Sequence, residues 1–179
     1  MPDESSYLYV LFSRTGAEEK LSNQLNNELG GEGFLAFAPQ KYCVFRRQGQ
    51  QSSFQKTCFP GYVFIESSKS VNEFMKQKFP AVSRTKDAYR FLCYGDRYDI
   101  AMREEERVEL IKLIGKDHCI DISTGFREGD SVKIISGVLV GNESRLLRIN
   151  RNRKEAIITL NMFGSPIEVS VGLELIEKS

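Results

Sequence analysis

No two cysteines of this chain stand as a CxxC pair. Cys43, Cys58, Cys93 and Cys119 are scattered, which argues against a zinc site and leaves free thiols as the simple reading. Histidine is almost missing too, with His118 alone. It adjoins Cys119 in a polar stretch, and neighbours in sequence rarely meet the geometry that a nucleophile and its base require. There is no GxxxxGK[ST] loop, and no GxGxxG follows a strand. Glu104, Glu105 and Glu106 are consecutive, so a helix spreads them around its start, where its dipole favours them, and they form no catalytic pair. These absences point away from an enzyme and predict no metal and no cofactor. No apolar run approaches the ~18 residues needed to span a bilayer. The start, Met1-Pro2-Asp3-Glu4-Ser5-Ser6, lacks a basic-then-apolar leader, so a cytoplasmic protein is expected. The net charge is only +1, so any affinity for nucleic acid must come from a local patch.

What is present is ordinary globular composition, 41% hydrophobic and 27% charged over 179 residues, enough for one domain or two small ones. The most informative stretch is Cys58-Phe59-Pro60-Gly61-Tyr62-Val63-Phe64-Ile65. The Pro-Gly pair reads as a turn into a strand. Val63 and Ile65 then point to one face, Tyr62 and Phe64 to the other, and both faces are apolar. Such a strand is either buried on both sides or uses one face to dock a partner.

Around it, residues 7–13 predict a first strand. A helix follows Gly16, with Leu21, Leu25 and Leu29 inward, and with Glu18, Glu19, Lys20 and residues 23–27 on its wet face. Strands are expected over 34–38 and 42–47. A polar tip over 48–53 then joins the second of these to 54–58 in a hairpin. A helix over 70–79, a strand over 89–94 and a helix over 103–114, with Val108, Ile111 and Leu113 or Ile114 inward, complete the first part. Residues 116–127 read as a linker. Five short strands then follow over 131–135, 144–150, 156–161, 167–171 and 173–176, suggesting a small barrel.

Arg145, Arg148, Arg151, Arg153 and Lys154 are five cations in ten residues with no acid among them. Residues 151–154 fall at a predicted hairpin tip. A solvated turn that protects a strand edge is the plain reading. The functional one is contact with phosphates, with Asn amides offered to bases. Arg46, Arg47 and Lys56, flanking the first hairpin, form a second candidate.

These residues resemble a known family. Tyr9-Val10-Leu11-Phe12 with Gly16, then Phe59-Pro60-Gly61-Tyr62-Val63-Phe64, resembles the N-terminal domain of the NusG transcription elongation factors. Gly129-Asp130-Ser131-Val132-Lys133-Ile134, with Gly137 and Asn161-Met162-Phe163-Gly164, resembles their closing KOW domain. The resemblance implies an α+β protein, with an α/β sandwich over 1–115, a linker over 116–127 and a five-stranded SH3-like barrel over 128–179, flexibly joined. It implies a monomer whose first domain docks on the clamp helices of RNA polymerase through Phe12, Phe59, Tyr62 and Phe64 and suppresses pausing. It also implies nucleic-acid contacts by Arg14, and by the barrel through Lys133, Arg145, Arg148, Arg151, Arg153 and Lys154. The usual Trp before Tyr9 is Leu8 here, Val138 replaces the Pro after Gly137, and Ser144 stands at the KOW glycine.

The turn over 149–154 looks most like that of the LoaP-type antiterminators, which act on selected operons and whose barrel is thought to bind an RNA hairpin. A general NusG whose barrel meets the ribosome or a termination factor is the alternative. A stand-alone RNA-binding module is a third. On the docking strand, Val63 and Ile65 are expected in the core, and Tyr62 and Phe64 in an exposed aromatic pocket.

Overall fold

The computed structural model describes residues 6–31, 33–47, 50–129 and 131–176. Its first half runs β1 (Tyr7–Ser13), α1 (Glu18–Leu29), β2 (Phe34–Phe37), β3 (Gln40–Arg47), β4 (Gln50–Thr57), β5 (Tyr62–Ser67), α2 (Val71–Gln77), α3 (Phe79–Val82), β6 (Ala88–Phe91) and α4 (Glu104–Ile114). The second half runs β7 (Cys119–Ile120), β8 (Ser123–Glu128), β9 (Ser131–Ser136), β10 (Leu146–Asn150), β11 (Glu155–Met162) and β12 (Ser165–Ile176). The result is a mixed α+β protein with many strands and few helices.

β1 and β5 are the inner strands of an antiparallel sheet ordered β2-β5-β1-β6. Their alternation gives the sheet two apolar faces, and each face is covered. Tyr9, Leu11, Val63 and Ile65 are buried with Leu21 and Leu25 of α1 and Phe74 of α2. Leu8, Val10 and Phe64 join Leu110, Leu113 and Ile114 of α4 in a second cluster. Ser70 and Glu73 form a capping box that starts α2, which lies within the helix expected over 70–79, and a further short helix, α3, follows with Pro80 in its first turn.

Several expected faces are turned. Glu18 is buried, not on the wet face of α1. Asn26 gives and takes hydrogen bonds of 2.7 Å with the backbone of Ala36, acting as a strand partner at the edge of β2. In α4 the buried positions are Arg107, Leu110, Leu113 and Ile114, while Val108 and Ile111 are only half covered. Arg107 tolerates burial because Glu104 grips its Nε and Nη2, each at 2.8 Å.

The stretch expected as a linker is largely strand. β7 pairs in parallel with β3, and β8 lies between β12 and β9. A second five-stranded sheet therefore has the order β10-β11-β12-β8-β9. Five strands were expected, but two of those merge into β12 across Gly172. An added Cβ there would lie 2.7 Å from the Tyr42 carbonyl oxygen. Gly172 thus marks a close approach of β12 to β3, not a break.

The two halves pack together instead of hanging on a free joint. One apolar cluster includes Phe59, Phe64 and Leu110 of the first half and Ala156, Leu160 and Val171 of the second. Polar groups cross the same boundary. The Lys41 ammonium donates to Glu155 at 3.0 Å and to Ser170 at 2.8 Å. The Glu106 carboxylate accepts the Tyr94 hydroxyl and the N–H groups of Phe163 and Gly164, and Arg145 pairs with Glu109 on α4. Among the described residues no helix is long and apolar enough to cross a membrane.

Candidate functional site

The face of the first sheet that α4 covers is not covered to its end. Phe12 and Tyr62 are directly paired across β1 and β5. Their rings lie 5.7 Å apart, and Tyr89 stands at the same distance from Phe12 on the other side. Phe12 and Tyr62 are half-buried, whereas Tyr89 is 57% exposed. Arg90 places its guanidinium 6.0 Å from the Phe12 ring.

Tyr89 reaches this cluster through a bulge. Phe12 pairs with Arg90 and Ser13 with Ala88, so Tyr89 is the extra residue between them. A bulge turns its side chain out of the plain alternation, and strand parity alone would not have found it.

The turn into β5 is held from below. Gly61 has φ of +86°, and its N–H donates to Glu18 at 2.6 Å. The Gly16 N–H donates to the other carboxylate oxygen at 2.8 Å. One buried carboxylate thus fixes both the approach to α1 and the Pro60-Gly61 turn.

Two of the four expected docking residues lie beneath the surface. Phe64 is fully buried and Phe59 is 3% exposed; their rings meet edge-on at 5.2 Å. The reason is α4 and the second sheet, whose side chains complete the cluster over them. The expectation that Tyr62 and Phe64 share an exposed pocket therefore fails for Phe64. Val63 and Ile65 are core, as expected.

The seven cations expected at nucleic acid are not gathered at one place. Arg14 bonds Asp87 at 3.2 Å, Lys133 bonds Glu128 at 2.8 Å, Arg148 bonds Glu168 at 2.9 Å and Lys154 bonds Glu174 at 2.6 Å. Arg145 belongs to the boundary with α4. Arg151 and Arg153 are exposed and enter no ion pair among the described residues. Asn150 shapes their turn by accepting the Arg153 N–H at 3.1 Å, and Lys154 closes it with φ of +51°. Arg148, Arg151 and Arg153 line a shallow groove of about 390 Å³ with Asn150 and Asn152.

The remaining candidates for chemistry are structural. His118 stacks on Phe37 at 3.7 Å, and burial lowers its pKa. The Cys119 thiol takes a hydrogen bond from Gln55 instead of pairing with that imidazole. Burial pushes the Cys58 thiol up to about 12, so it stays protonated. Among the described residues no group of three or more His, Cys, Asp or Glu could hold a metal ion.

Comparison with known proteins decides what carries this aromatic face. Residues 6–112 match the family described as transcription termination factor nusG. The chain belongs to the NusG family. A Thermus thermophilus relative, named transcription termination/antitermination protein NusG, is 27% identical over 171 residues, covering 90% of this chain and 93% of its own. A Streptococcus pyogenes relative of the same name is 29% identical over 177 residues, covering 92% of each chain. The protein is accordingly a NusG-type transcription factor. The family match spans the whole aromatic face and stops within α4, while the relatives cover 90% or more of the chain and so extend into the second sheet.

Proposed function

We propose that the protein is an elongation and antitermination factor that docks on the clamp helices of RNA polymerase through Phe12, Tyr62 and Tyr89. It acts as a monomer in the cytoplasm and suppresses pausing. Its second sheet, read as a KOW domain, contacts an RNA hairpin through Arg151 and Arg153 and directs the factor to selected operons, as in LoaP. Arg14, beside the aromatic cluster at the end of β1, faces the DNA of the same complex. The observation that carries the reading is the open end of an otherwise covered sheet face. Three aromatic rings stand in a row there, Tyr89 exposed and Phe12 and Tyr62 half-buried, within the segment that matches the family. Aromatic clusters of this size are what interfaces use as anchors. Phe59 and Phe64 act as the floor under these rings rather than as contacts.

A general NusG without RNA specificity is the second reading, and the names of the relatives favour it. Both readings share the dock, so the dock is tested first. Phe59→Ala is a poor probe, because emptying a buried Phe site costs about 3–5 kcal/mol of stability. Phe12→Ala and Tyr62→Asp touch the open end instead. Each is expected to weaken polymerase binding about thirtyfold or more, as anchor truncations do, with the thermal midpoint kept. Undiminished co-purification of polymerase with both folded variants would remove the reading.

A further inference from the structure

We propose that one face of the β3–β4 hairpin is a stacking platform for single-stranded RNA, continuous with the basic turn of the second sheet. The strand register puts Lys41, Cys43 and Phe45 on the same face as Ser52, Phe54 and Lys56, since Lys41 is opposite Lys56, Cys43 opposite Phe54 and Phe45 opposite Ser52. Phe45 and Phe54 are diagonal neighbours on that face, about 7 Å apart by sheet geometry. Neither is buried: Phe45 is 49% exposed and Phe54 50%. Gln50, Ser52 and Lys56 beside them are exposed as well.

Charge selects the occupant. Residues 40–57 contain no Asp or Glu, in a chain with 24 acids. Of their cations Lys41 is buried and held by Glu155, Lys56 is exposed on this face, and Arg46 and Arg47 stand beside Phe45 in the sequence. Exposed aromatic rings in an acid-free, cationic setting are the chemistry that holds unpaired bases. The rings take the base faces, and the cations track the phosphates.

The base of the hairpin leads straight to the turn. Lys41 bonds Glu155, the residue that follows Lys154. Lys41 shares its face with Cys43 and Phe45, so its bond to Glu155 sets that end of the platform beside the start of β11. On this proposal a strand leaving the rings passes Lys56 and runs on towards Arg151 and Arg153, which precede Glu155 in the chain. The inference rests on the proposed function only for that continuation.

The test uses the full chain and a fluorescent short oligouridine, read by anisotropy over a salt series. Phe45→Ala and Phe54→Ala are each expected to weaken binding roughly fivefold or more while leaving the salt slope unchanged. Phe45→Tyr, which keeps a ring, restores affinity. Arg151→Gln with Arg153→Gln lowers the slope instead. Loss in the arginine variant with full affinity in both alanine variants overturns the platform and leaves the turn standing. Loss in the alanine variants alone supports the platform and removes the turn as its continuation. Matched oligothymidine bound more tightly than oligouridine, and equally sensitive to the rings, overturns the assignment to RNA. No binding of either oligomer at low salt overturns both.

Discussion

Two backbone N–H groups, those of Gly16 and Gly61, converge on the two oxygens of Glu18, which is 3% exposed. Gly61 immediately precedes the strand that Tyr62 opens, so a side chain at the start of α1 sets the position of the aromatic face. Glu18→Ala leaves both donors without their partner; Gly16 is exposed and can turn to water, but the Gly61 N–H is buried, and an unmet buried donor costs about 1–3 kcal/mol. Equilibrium urea unfolding should therefore show a loss of about 1–3 kcal/mol, and a loss under about 1 kcal/mol would remove this role. The sequence concealed it for a simple reason. A Glu in the first turn of an amphipathic helix has a sufficient local explanation in the helix dipole, and the bond that matters closes across 43 positions. Tyr9 and Phe74 show the opposite case. They lie in the strand expected over 7–13 and the helix expected over 70–79, and their rings stack at 4.0 Å in the core between those elements.

At the scale of elements, the β10–β11 turn is the clearest test of nucleic-acid binding. Five cations in this stretch suggest many phosphate contacts, but ion pairs with Glu109, Glu168 and Glu174 engage three of them. The Arg148–Glu168 pair is exposed on both sides, and such pairs are worth only about 0–1 kcal/mol, so it yields easily. If Arg151 and Arg153 alone each neutralise a phosphate, the salt slope for a blunt RNA hairpin should be about −1.5. A slope near zero, or one unchanged by Arg151→Gln with Arg153→Gln, returns the second sheet to a role without RNA. Most strands and helices were legible from alternation and from the spacing of leucines. β8 and the joined β12 were not. Ser123-Thr124-Gly125 reads as polar linker because pairing on both sides, not its own apolar content, makes it a strand. Gly172 reads as a breaker because the close approach to Tyr42 that demands glycine lies outside its own neighbourhood. The bulge at Tyr89 was illegible on the same grounds, since it exists only in the pairing with β1.

At the scale of the whole molecule, the Lys41 contacts bind the halves together. The ammonium is 5% exposed and bonds Glu155 and Ser170. Removing one partner of a buried pair costs about 3–5 kcal/mol, largely because the other charge is stranded, whereas replacing both with apolar groups can be nearly neutral. Lys41→Met and Glu155→Leu should each destabilise the chain by a few kcal/mol, and the double variant by clearly less than their sum. Purely additive losses in urea unfolding would show that the pair does not couple the halves. Cooperativity belongs to the same scale. With a common apolar cluster and these polar crossings, a single unfolding transition is expected of the intact protein.

Lys41 also has a history during synthesis. Ser170 follows it by 129 positions, so at about 5–20 residues per second the ribosome leaves this ammonium waiting on the order of ten seconds for its last partner. During that interval the nascent first half can turn around β1 and β5, but the side of β3 that later meets β12 stays wet. The chain therefore acquires its aromatic face before it acquires its closing seam. A pause in translation just before β12 would hold it in that half-finished form.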